Sequence, residues 1–370
     1  MMNTDDDKME IEAQDELELT GPPYPAVTDA QVRITKEQSS VFEFLRKERR
    51  GELVLAPDFQ RKDVWDKRDQ SELIESILMG IPIPLIYLFE NEQGERQIID
   101  GKQRVTTLKR FINNELVLTS LFMLPTLQGA KFDDIPPVLQ AKLEDYLLHY
   151  YVIQPPTPEH VKFNIFERIN RGGVKLNKQE MRHALYQGKA TSLIQTLADS
   201  EAFKLATGNG VKSLQMRDRY LVLRFVAFYL YQTKQLSGIE YHSDVDSFLA
   251  ATMKYLNTKA TDQLIQDVHD ICVSGLNRIY QILGDQAFRF QAKDNGSKRP
   301  VNMGLFEMLL YVFCQVEPVH LESEKTKQYI DKFKSEIDDE AILAGAIDST
   351  ESVNIRFERA KIIIQGLNNA

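Results

Sequence analysis

A short apolar run in this chain ends on an acid and a glycine, and a helical pattern follows at once. The run is Gln97-Ile98-Ile99-Asp100-Gly101, and the apolar residues Leu108, Phe111 and Ile112 that follow share one helical face. This order predicts a strand, a tight turn and the N-terminus of a helix. Such a junction gathers backbone N–H donors at the positive end of the helix dipole, where anions bind.

The residues at this junction allow two interpretations. Asp100 and Gln103 have the spacing of a capping box, which would satisfy the first N–H groups of the helix without any ligand. Lys102 and Arg104 would then be solvated cations in a first turn where the dipole disfavours each of them by about 0.3–1 kcal/mol. In the other interpretation, the same two cations hold an anion, most plausibly a phosphate. The local pattern alone leaves both open.

A length of 370 residues suggests about two domains. The content of 43% hydrophobic and 27% charged residues is that of an ordinary soluble globular protein. No apolar run approaches the ~20 residues that span a bilayer, and the acidic N-terminus does not have the pattern of a signal peptide. Cys272 and Cys314 show no pattern of a disulfide framework or a zinc site. We therefore expect a cytoplasmic protein that does not bind membranes.

The net charge of −9 is concentrated near the N-terminus, because residues 1–20 hold eight acids and one lysine. The other 350 residues carry only −2, so no chain-wide basic field supports tight non-specific binding of DNA. Residues 1–30 are predicted to be a disordered acidic tail and linker. Local basic clusters, most of which are expected to be solvated faces, lie at 46–50, 102–110 and 217–224.

The fold class predicted from periodicity is α+β, with a small mixed domain over residues 31–155 and an all-helical domain over 156–370. In the first domain, helices are expected from Ser40, from Asp66 to a stop at Gly80, over 101–114 and over 138–146. Strands are expected at 53–55, 85–89, 96–99 and 150–153, with the second and third forming a hairpin.

Helical periodicity dominates the second half of the chain. Asn177 and Glu180 have capping-box spacing at the start of a helix that ends near Tyr186. The last helix is expected to end at Gly366. The helices predicted here cover 158–170, 177–186, 218–231, 247–256, 263–283, 305–316, 325–337 and 352–365.

Three sequence blocks follow one another in the first 180 residues. They lie at 57–84 (PDFQRKDVW, then ELIESI and IPIP), at 99–104 (IDGKQR) and at 166–180 (FERINRGGVKLNKQE). Together they closely resemble the DGQQR family, the ParB/sulfiredoxin-like domain that opens the GmrSD-type modification-dependent restriction endonucleases. A related domain begins the phosphorothioate-sensing defence protein SspE. The resemblance covers about residues 50–235.

The resemblance implies a module that binds and hydrolyses a nucleoside triphosphate with Mg²⁺, as part of a system that restricts modified phage DNA. Phe59, Gly173 and Glu180 also match positions of the family's blocks. The resemblance implies that Asp100, Gln103 and Arg104 are catalytic and that Asp100 also binds Mg²⁺. The residues that it implies for binding the nucleotide are Gln60, Arg61, Gly101, Lys102, Arg104 and Asn170.

The chain departs from the family pattern in two respects. Lys102 stands where the family usually has Gln. The side chain at this position therefore keeps a hydrogen-bond donor, gains a positive charge and loses the amide oxygen that could accept a hydrogen bond. The six histidines are scattered and show no HNH arrangement, so we expect no HNH nuclease in this chain. The chain would then stand alone or work with a separate nuclease subunit, and the sequence leaves both open. A homo-oligomer stays open. No Walker A motif is present, which excludes a P-loop mechanism.

Two other functions remain open from the residues. One is a ParB-like DNA-binding protein that a nucleotide switches with little turnover, in which Arg46, Arg49, Arg50, Arg217 and Arg219 contact DNA phosphates. The other is a metal-dependent DNA nuclease that uses Asp58, Asp63 and Asp100. Those acids are equally well suited to capping helices and turns.

Overall fold

The computed structural model describes residues 32–55, 65–91, 94–157, 161–162, 165, 168–169, 177–292, 298–321, 323–343 and 347–369. These residues fall into two compact units. The first, within Tyr24–Leu176, contains a β-sheet and is called the sheet unit. The second, from Asn177 onward, is called the helical unit. The predicted α+β fold class is confirmed.

The described residues of the sheet unit form five strands, four α-helices and two short 3-10 turns, and residues 161–162, 165 and 168–169 are also helical. The strands are β1 Arg33–Ser40, β2 Leu53–Val54, β3 Ile86–Glu90, β4 Arg96–Asp100 and β5 Leu147–Gln154, and the helices are α1 Val41–Arg49, α2 Lys67–Met79, α3 Lys102–Ile112 and α4 Pro137–Glu144. The predicted helix over 158–170 lies largely outside the described residues.

The five strands form one mixed sheet in the order β1-β5-β3-β4-β2. Strands β3 and β4 are antiparallel, which confirms the predicted hairpin, and β3 lies parallel to β5 on its other side. The long strand β1 pairs antiparallel with β5, whereas the two residues of β2 pair in parallel with β4. At the end of β4, Asp100 pairs with Tyr87 of β3, and this pairing holds the strand end where α3 begins.

Three of the helix boundaries predicted in this unit are confirmed by their capping geometry. Ser40 Oγ accepts from the amide of Glu43 at 3.2 Å and starts α1. Asp66 Oδ1 accepts from the amide of Arg68 at 2.8 Å and starts α2. Gly80 ends α2 with a left-handed backbone, φ +78°.

The core of the sheet unit lies between the sheet and its helices. Phe111 of α3 is fully buried and packs edge-on against Phe132, with ring centroids 5.8 Å apart. Phe44 of α1 meets Tyr150 of β5 in the same way at 5.4 Å. Val105 and Leu108, one helical turn apart, complete the buried face of α3. This packing holds the first turn of α3 against the end of the sheet.

The helical unit consists of α-helices and short 3-10 turns in its described residues. Its helices are α5 Lys178–Leu185, α6 Lys189–Asp199, α7 Glu201–Ala206, α8 Arg217–Gln232, α9 Val245–Thr258, α10 Asp262–Leu283, α11 Met303–Gln315, α12 Ser323–Asp339 and α13 Thr350–Asn368. None of the described helices combines the length and the apolar character needed to span a bilayer.

The expected helix end at Gly366 is wrong, because α13 continues through this residue to Asn368. A Cβ atom at position 366 would overlap the phenol of Tyr329 in α12. The glycine therefore allows two helices to approach closely and does not cap one of them. This requirement arises from tertiary contact and leaves no mark on the local periodicity.

A charged network lies in the interior of the helical unit. The side chains of Glu307, Arg224 and Arg356 are all completely buried. Glu307 contacts Arg224 Nε at 2.6 Å through Oε1 and Arg356 Nη2 at 2.8 Å through Oε2. Asp348 adds a contact of 2.6 Å to Arg224 Nη2. Two positive and two negative charges thus stabilise one another away from water.

Acid is expected to destabilise the helical unit through His183 of α5. Burial, together with the charge of Arg219, lowers the pKa of His183 from 6.5 to about 4. Because the folded state disfavours the proton, stability is full above pH 6.5 and falls as the pH drops toward 4. The loss should reach up to about 3 kcal/mol. Urea unfolding at pH 7 and pH 4.5 measures it.

His183→Gln is the comparison for that titration, since carboxylates also protonate near pH 4. The variant should lose less stability than the wild type between the two pH values. An equal loss in both proteins would contradict the assignment to His183. His269, which is partly exposed and paired with Asp270 at 2.9 Å, provides the matched control as His269→Gln.

Candidate functional site

The turn between β4 and α3 has a geometry that excludes the capping-box interpretation. Asp100 is the last residue of β4, and the N-cap of α3 is Gly101, with φ +95°. No side chain caps this helix, so the expectation that Asp100 and Gln103 form a capping box is wrong. The amides of Gln103 and Arg104 have no acceptor among the described residues, and the first helical bond runs from Val105 N to Gly101 O at 3.0 Å. The helix start therefore presents N–H donors.

The Asp100 carboxylate contacts Arg104 instead of the helix start. Arg104 Nη2 donates to Asp100 Oδ2 at 2.6 Å, one helical turn away. The Arg104 side chain is 10% exposed and that of Asp100 is 32% exposed. Oδ1 of Asp100 accepts no hydrogen bond from a described residue. The pair thus holds Oδ2 and, within the described residues, leaves Oδ1 able to contact a ligand.

Arg104 also holds the segment that precedes β3. Its Nη1 donates to the carbonyl oxygen of Pro84 and, at 3.0 Å, to that of Leu85. Both hydrogens of Nη1 are therefore used within the protein. The Nε hydrogen and one Nη2 hydrogen have no partner in the part of the chain that the structure describes. Sequence reasoning assigned no role to Pro84 and Leu85, since a backbone carbonyl has no sequence signature.

Gly101 is required at this turn for two reasons. Its φ of +95° disfavours any residue with a side chain, and a Cβ atom would lie 2.9 Å from Cγ1 of Ile86 and 3.4 Å from Cζ of Arg104. Gly101→Ala is therefore expected to lower the free energy of unfolding by about 1–3 kcal/mol. Urea unfolding measures the change.

Gly94→Ala separates the two causes of that loss. Gly94 has a similar φ of +82°, but a Cβ atom there would meet nothing within 4 Å. The alanine at 94 should cost only the backbone strain, about 1 kcal/mol. Equal losses in the two variants would show that the contact with Ile86 and Arg104 is unimportant.

The structure brings the five residues of the motif into one turn. Lys102 is the first residue of α3 and is half-buried. Gln103 is also half-buried, and its side chain makes no hydrogen bond to a described residue. Gln60, Arg61 and Asn170, which were predicted to bind the nucleotide, lie outside the described residues. Phe59 and Gly173 lie outside them as well.

Glu180 of the third block has a capping role. Its Oε2 accepts from the amide of Asn177 at 2.8 Å, and Asn177 Oδ1 accepts from the amide of Glu180 at 2.9 Å. The predicted capping box at the start of α5 is confirmed. This pair belongs to the helical unit.

The acids near the motif suit one metal contact. No group of three or more His, Cys, Asp or Glu side chains among the described residues could hold a metal ion. Magnesium in nucleotide sites commonly uses one or two carboxylates, with phosphates and water as the other ligands. Asp100 fits that use, because its Oδ1 accepts no hydrogen bond from the described residues and a third of its side chain is exposed. Asp58 and Asp63 lie outside the described residues, so the nuclease hypothesis stays a prediction.

The basic cluster near residue 48 lies at the end of α1. Arg46 and Arg49 occupy its last turn, and Arg50 is its C-cap. All three side chains are exposed, and Arg50 has only a distant contact of 3.9 Å with Glu52. Cations at a helix C-terminus are also favoured by the dipole, so their position needs no ligand to explain it.

Arg217 and Arg219 were predicted to contact DNA together with the α1 cluster. They occupy the first turn of α8 in the helical unit, and both are half-buried.

Comparison with protein families identifies the region that contains this site. Residues 41–187 match the family described as GmrSD restriction endonuclease, N-terminal domain. The match includes β2 to β5, α1 to α4 and the Asp100–Arg104 turn. No match was found among curated proteins.

Proposed function

Because residues 41–187 are an N-terminal domain of the GmrSD restriction endonuclease family, we propose that this chain supplies the nucleotide-hydrolysing activity of a GmrSD-like restriction system. The observation that carries the proposal is the turn at 100–104. It combines an uncapped helix N-terminus, two cations and a carboxylate with one unbound oxygen. A metal-bound phosphate suits this combination, because the donors can hold its oxygens and the carboxylate can hold the metal.

The phosphates of the nucleotide are proposed to bind at the start of α3. The amides of Gln103 and Arg104 point out of the first turn, where the helix dipole favours negative charge. Lys102 adds a full positive charge at the first helical position. The two unused N–H groups of Arg104 can each donate to a phosphate oxygen. Gly101 keeps the backbone open at this point, since it has no side chain.

Hydrolysis is proposed to follow from positioning and charge. Asp100 Oδ1 would hold Mg²⁺, which neutralises charge on the phosphates when it is bound. Gln103 would orient the attacking water through its side-chain amide. A bond forms between the water oxygen and the γ-phosphorus while the bond from that phosphorus to the bridging oxygen breaks. The products are a nucleoside diphosphate and inorganic phosphate.

Arg104 has a second role in this proposal, which is to orient Asp100. Its contact with Oδ2 leaves Oδ1 without a hydrogen bond from the described residues, and its contacts with Pro84 and Leu85 hold the guanidinium in place. Arg104 thus acts both on the phosphate and on the carboxylate. A lysine could not make both sets of contacts, because it lacks the planar fork of donors.

The test is phosphate release from each of the four common nucleoside triphosphates with Mg²⁺. The wild-type chain should release phosphate, and Asp100→Ala and Arg104→Ala should not. Full activity in both variants would refute the proposed site. Absence of release from every nucleotide by the wild-type chain, alone and with DNA, would refute the hydrolytic function.

DNA is proposed as the substrate of the complete system, and modified phage DNA is the expected form. We propose that a nuclease outside residues 1–370, such as a separate subunit, cuts the DNA, since these residues show no HNH pattern. Mixing this chain with such a nuclease subunit should make cleavage depend on both proteins. Cleavage of plasmid DNA by this chain alone with Mg²⁺ or Mn²⁺ would instead support the nuclease hypothesis.

The second candidate function is a ParB-like switch that binds nucleotide with little turnover. The exposed cations at the end of α1 favour it, because Arg46, Arg49 and Arg50 are directed to solvent. Retention of DNA in the presence of a nucleotide, without phosphate release, would support this function. Binding through phosphate contacts should weaken steeply with salt.

A further inference from the structure

The segment Ile81–Leu85 is entirely apolar and yet largely exposed. Ile81 is 46% exposed, Pro82 and Pro84 are exposed, and Ile83 and Leu85 are half-buried. None of its five side chains carries a polar atom. We call this segment the apolar wall. A contiguous exposed apolar surface at a defined place in a fold commonly marks a binding site.

Tyr146 fixes one end of the apolar wall. Its hydroxyl donates to the carbonyl oxygen of Ile81 at 3.0 Å and accepts from the amide of Ile83 at 3.2 Å. The backbone of Tyr146 is itself held, since its carbonyl accepts from Val41 N at 3.0 Å. The amide of Ile81 donates to Ser76 O at 2.9 Å, at the end of α2. A single phenol therefore sets the shape of this turn.

Arg104 fixes the other end of the apolar wall through its contacts with the carbonyl oxygens of Pro84 and Leu85. The same guanidinium contacts Asp100, so the wall adjoins the Asp100–Arg104 pair. The two prolines of the wall have no backbone N–H group, so neither needs a hydrogen-bond acceptor for it. The wall is thus a rigid apolar surface beside a charged turn, with most of its backbone polar groups already used.

We propose that the apolar wall packs against the nucleoside of the triphosphate whose phosphates bind at the start of α3. Tyr146 is then a positioning residue, because it holds the wall in place. This inference rests on the proposed function. A nucleoside triphosphate joins a charged triphosphate to a flat base whose two faces are apolar. The charged turn and the adjacent apolar wall match those two parts.

The proposal predicts different requirements for the two halves of the ligand. Burying a base against exposed Ile81, Pro82 and Pro84 removes apolar surface from water, which favours binding of the nucleoside. Inorganic tripolyphosphate carries the same phosphates but has no group to place on the wall. Changes in the wall should therefore affect the nucleotide and spare tripolyphosphate.

The experiment measures dissociation constants of a non-hydrolysable nucleoside triphosphate and of tripolyphosphate by calorimetry, with Mg²⁺ and the full chain. The nucleotide should bind the wild type at least about tenfold more tightly than tripolyphosphate. Ile81→Ser and Tyr146→Phe should each raise the nucleotide constant about three- to tenfold. Neither variant should change the constant for tripolyphosphate. Lys102→Ala should weaken both ligands.

Matched controls come from the helical unit. Ile362 is 48% exposed, which is close to Ile81, so Ile362→Ser tests the loss of an exposed isoleucine as such. Tyr280 is 39% exposed and its hydroxyl has no partner among the described residues, so Tyr280→Phe tests the loss of a phenol as such. Both controls should bind like the wild type. Circular dichroism melts confirm that every variant is folded.

The outcomes separate this inference from the proposed function. If the wild type binds both ligands but Ile81→Ser and Tyr146→Phe leave both constants unchanged, the inference is overturned and the phosphate site stands. The inference would also be overturned if the wall variants weakened the binding of both ligands equally, since the wall would then only support the phosphate site. If the wild type binds neither ligand, the phosphate site and the inference both fail.

Discussion

Asp100→Asn is expected to lower the kcat for nucleotide hydrolysis by about 100-fold or more, which corresponds to about 2.7 kcal/mol of transition-state stabilisation. The amide oxygen of asparagine can still accept from Arg104, so the contact now measured at 2.6 Å would be kept. What is lost is the negative charge that would hold Mg²⁺. The measurement is steady-state phosphate release, with thermal unfolding as the check on folding.

The matched control for this prediction is Asp338→Asn. Asp338 lies 2.6 Å from Arg299, and their side chains are 20% and 22% exposed, so the pair resembles Asp100–Arg104 but belongs to the helical unit. This variant should retain full activity. If Asp100→Asn and Asp338→Asn have the same effect on kcat, the carboxylate at 100 has no special role. A change in KM alone would point to nucleotide binding without a part in the chemistry.

Glu307→Gln is expected to lower the free energy of unfolding of the helical unit by about 3–5 kcal/mol. Glu307 contacts Arg224 and Arg356, and all three side chains are completely buried. Glutamine has almost the same size but no charge, so both guanidinium groups would lose their main counter-charge inside the protein. Desolvated charges without a partner are strongly unfavourable. Urea unfolding followed by far-UV circular dichroism measures the loss.

Glu340→Gln is the control for that substitution. Glu340 pairs with Arg359 at 2.9 Å, but these side chains are 54% and 34% exposed, respectively. Removing this surface pair should change stability by no more than about 1 kcal/mol. A similar small effect of Glu307→Gln would mean that water reaches the network. Phosphate release by the full chain is a useful second measurement, because it reports whether unfolding of the helical unit affects the proposed activity.

Much of the sheet unit could be predicted from local patterns. The hairpin of β3 and β4 follows from two apolar runs around a turn, and α2 follows from Asp66 at its start and Gly80 at its end. The same logic predicted the capping box of Asn177 and Glu180. Each of these features depends on residues close in sequence, whose spacing reflects the period of a helix or strand.

Other elements could not be predicted in this way. The sequence of β1, RITKEQSS, alternates too weakly to indicate a strand, and β1 is ordered by its pairing with β5 more than 100 residues later. Helices α6 and α7 were also missed. The helix end expected at Gly366 was wrong because the reason for that glycine is Tyr329, in another helix. In each case the deciding contact comes from a distant part of the chain.

The functional turn shows the same division. The sequence by itself determined that a strand over 96–99 leads through a turn into a helix over 101–114, since this depends on neighbouring residues. In the structure, β4 ends at Asp100 and α3 begins at Lys102. Only the tertiary structure decided what the side chains do. Arg104 reaches Pro84 and Leu85, 20 and 19 residues away, because β3 lies beside β4. Arg104 also contacts Asp100 Oδ2, and Asp100 does not cap the helix, an arrangement that no spacing rule contains.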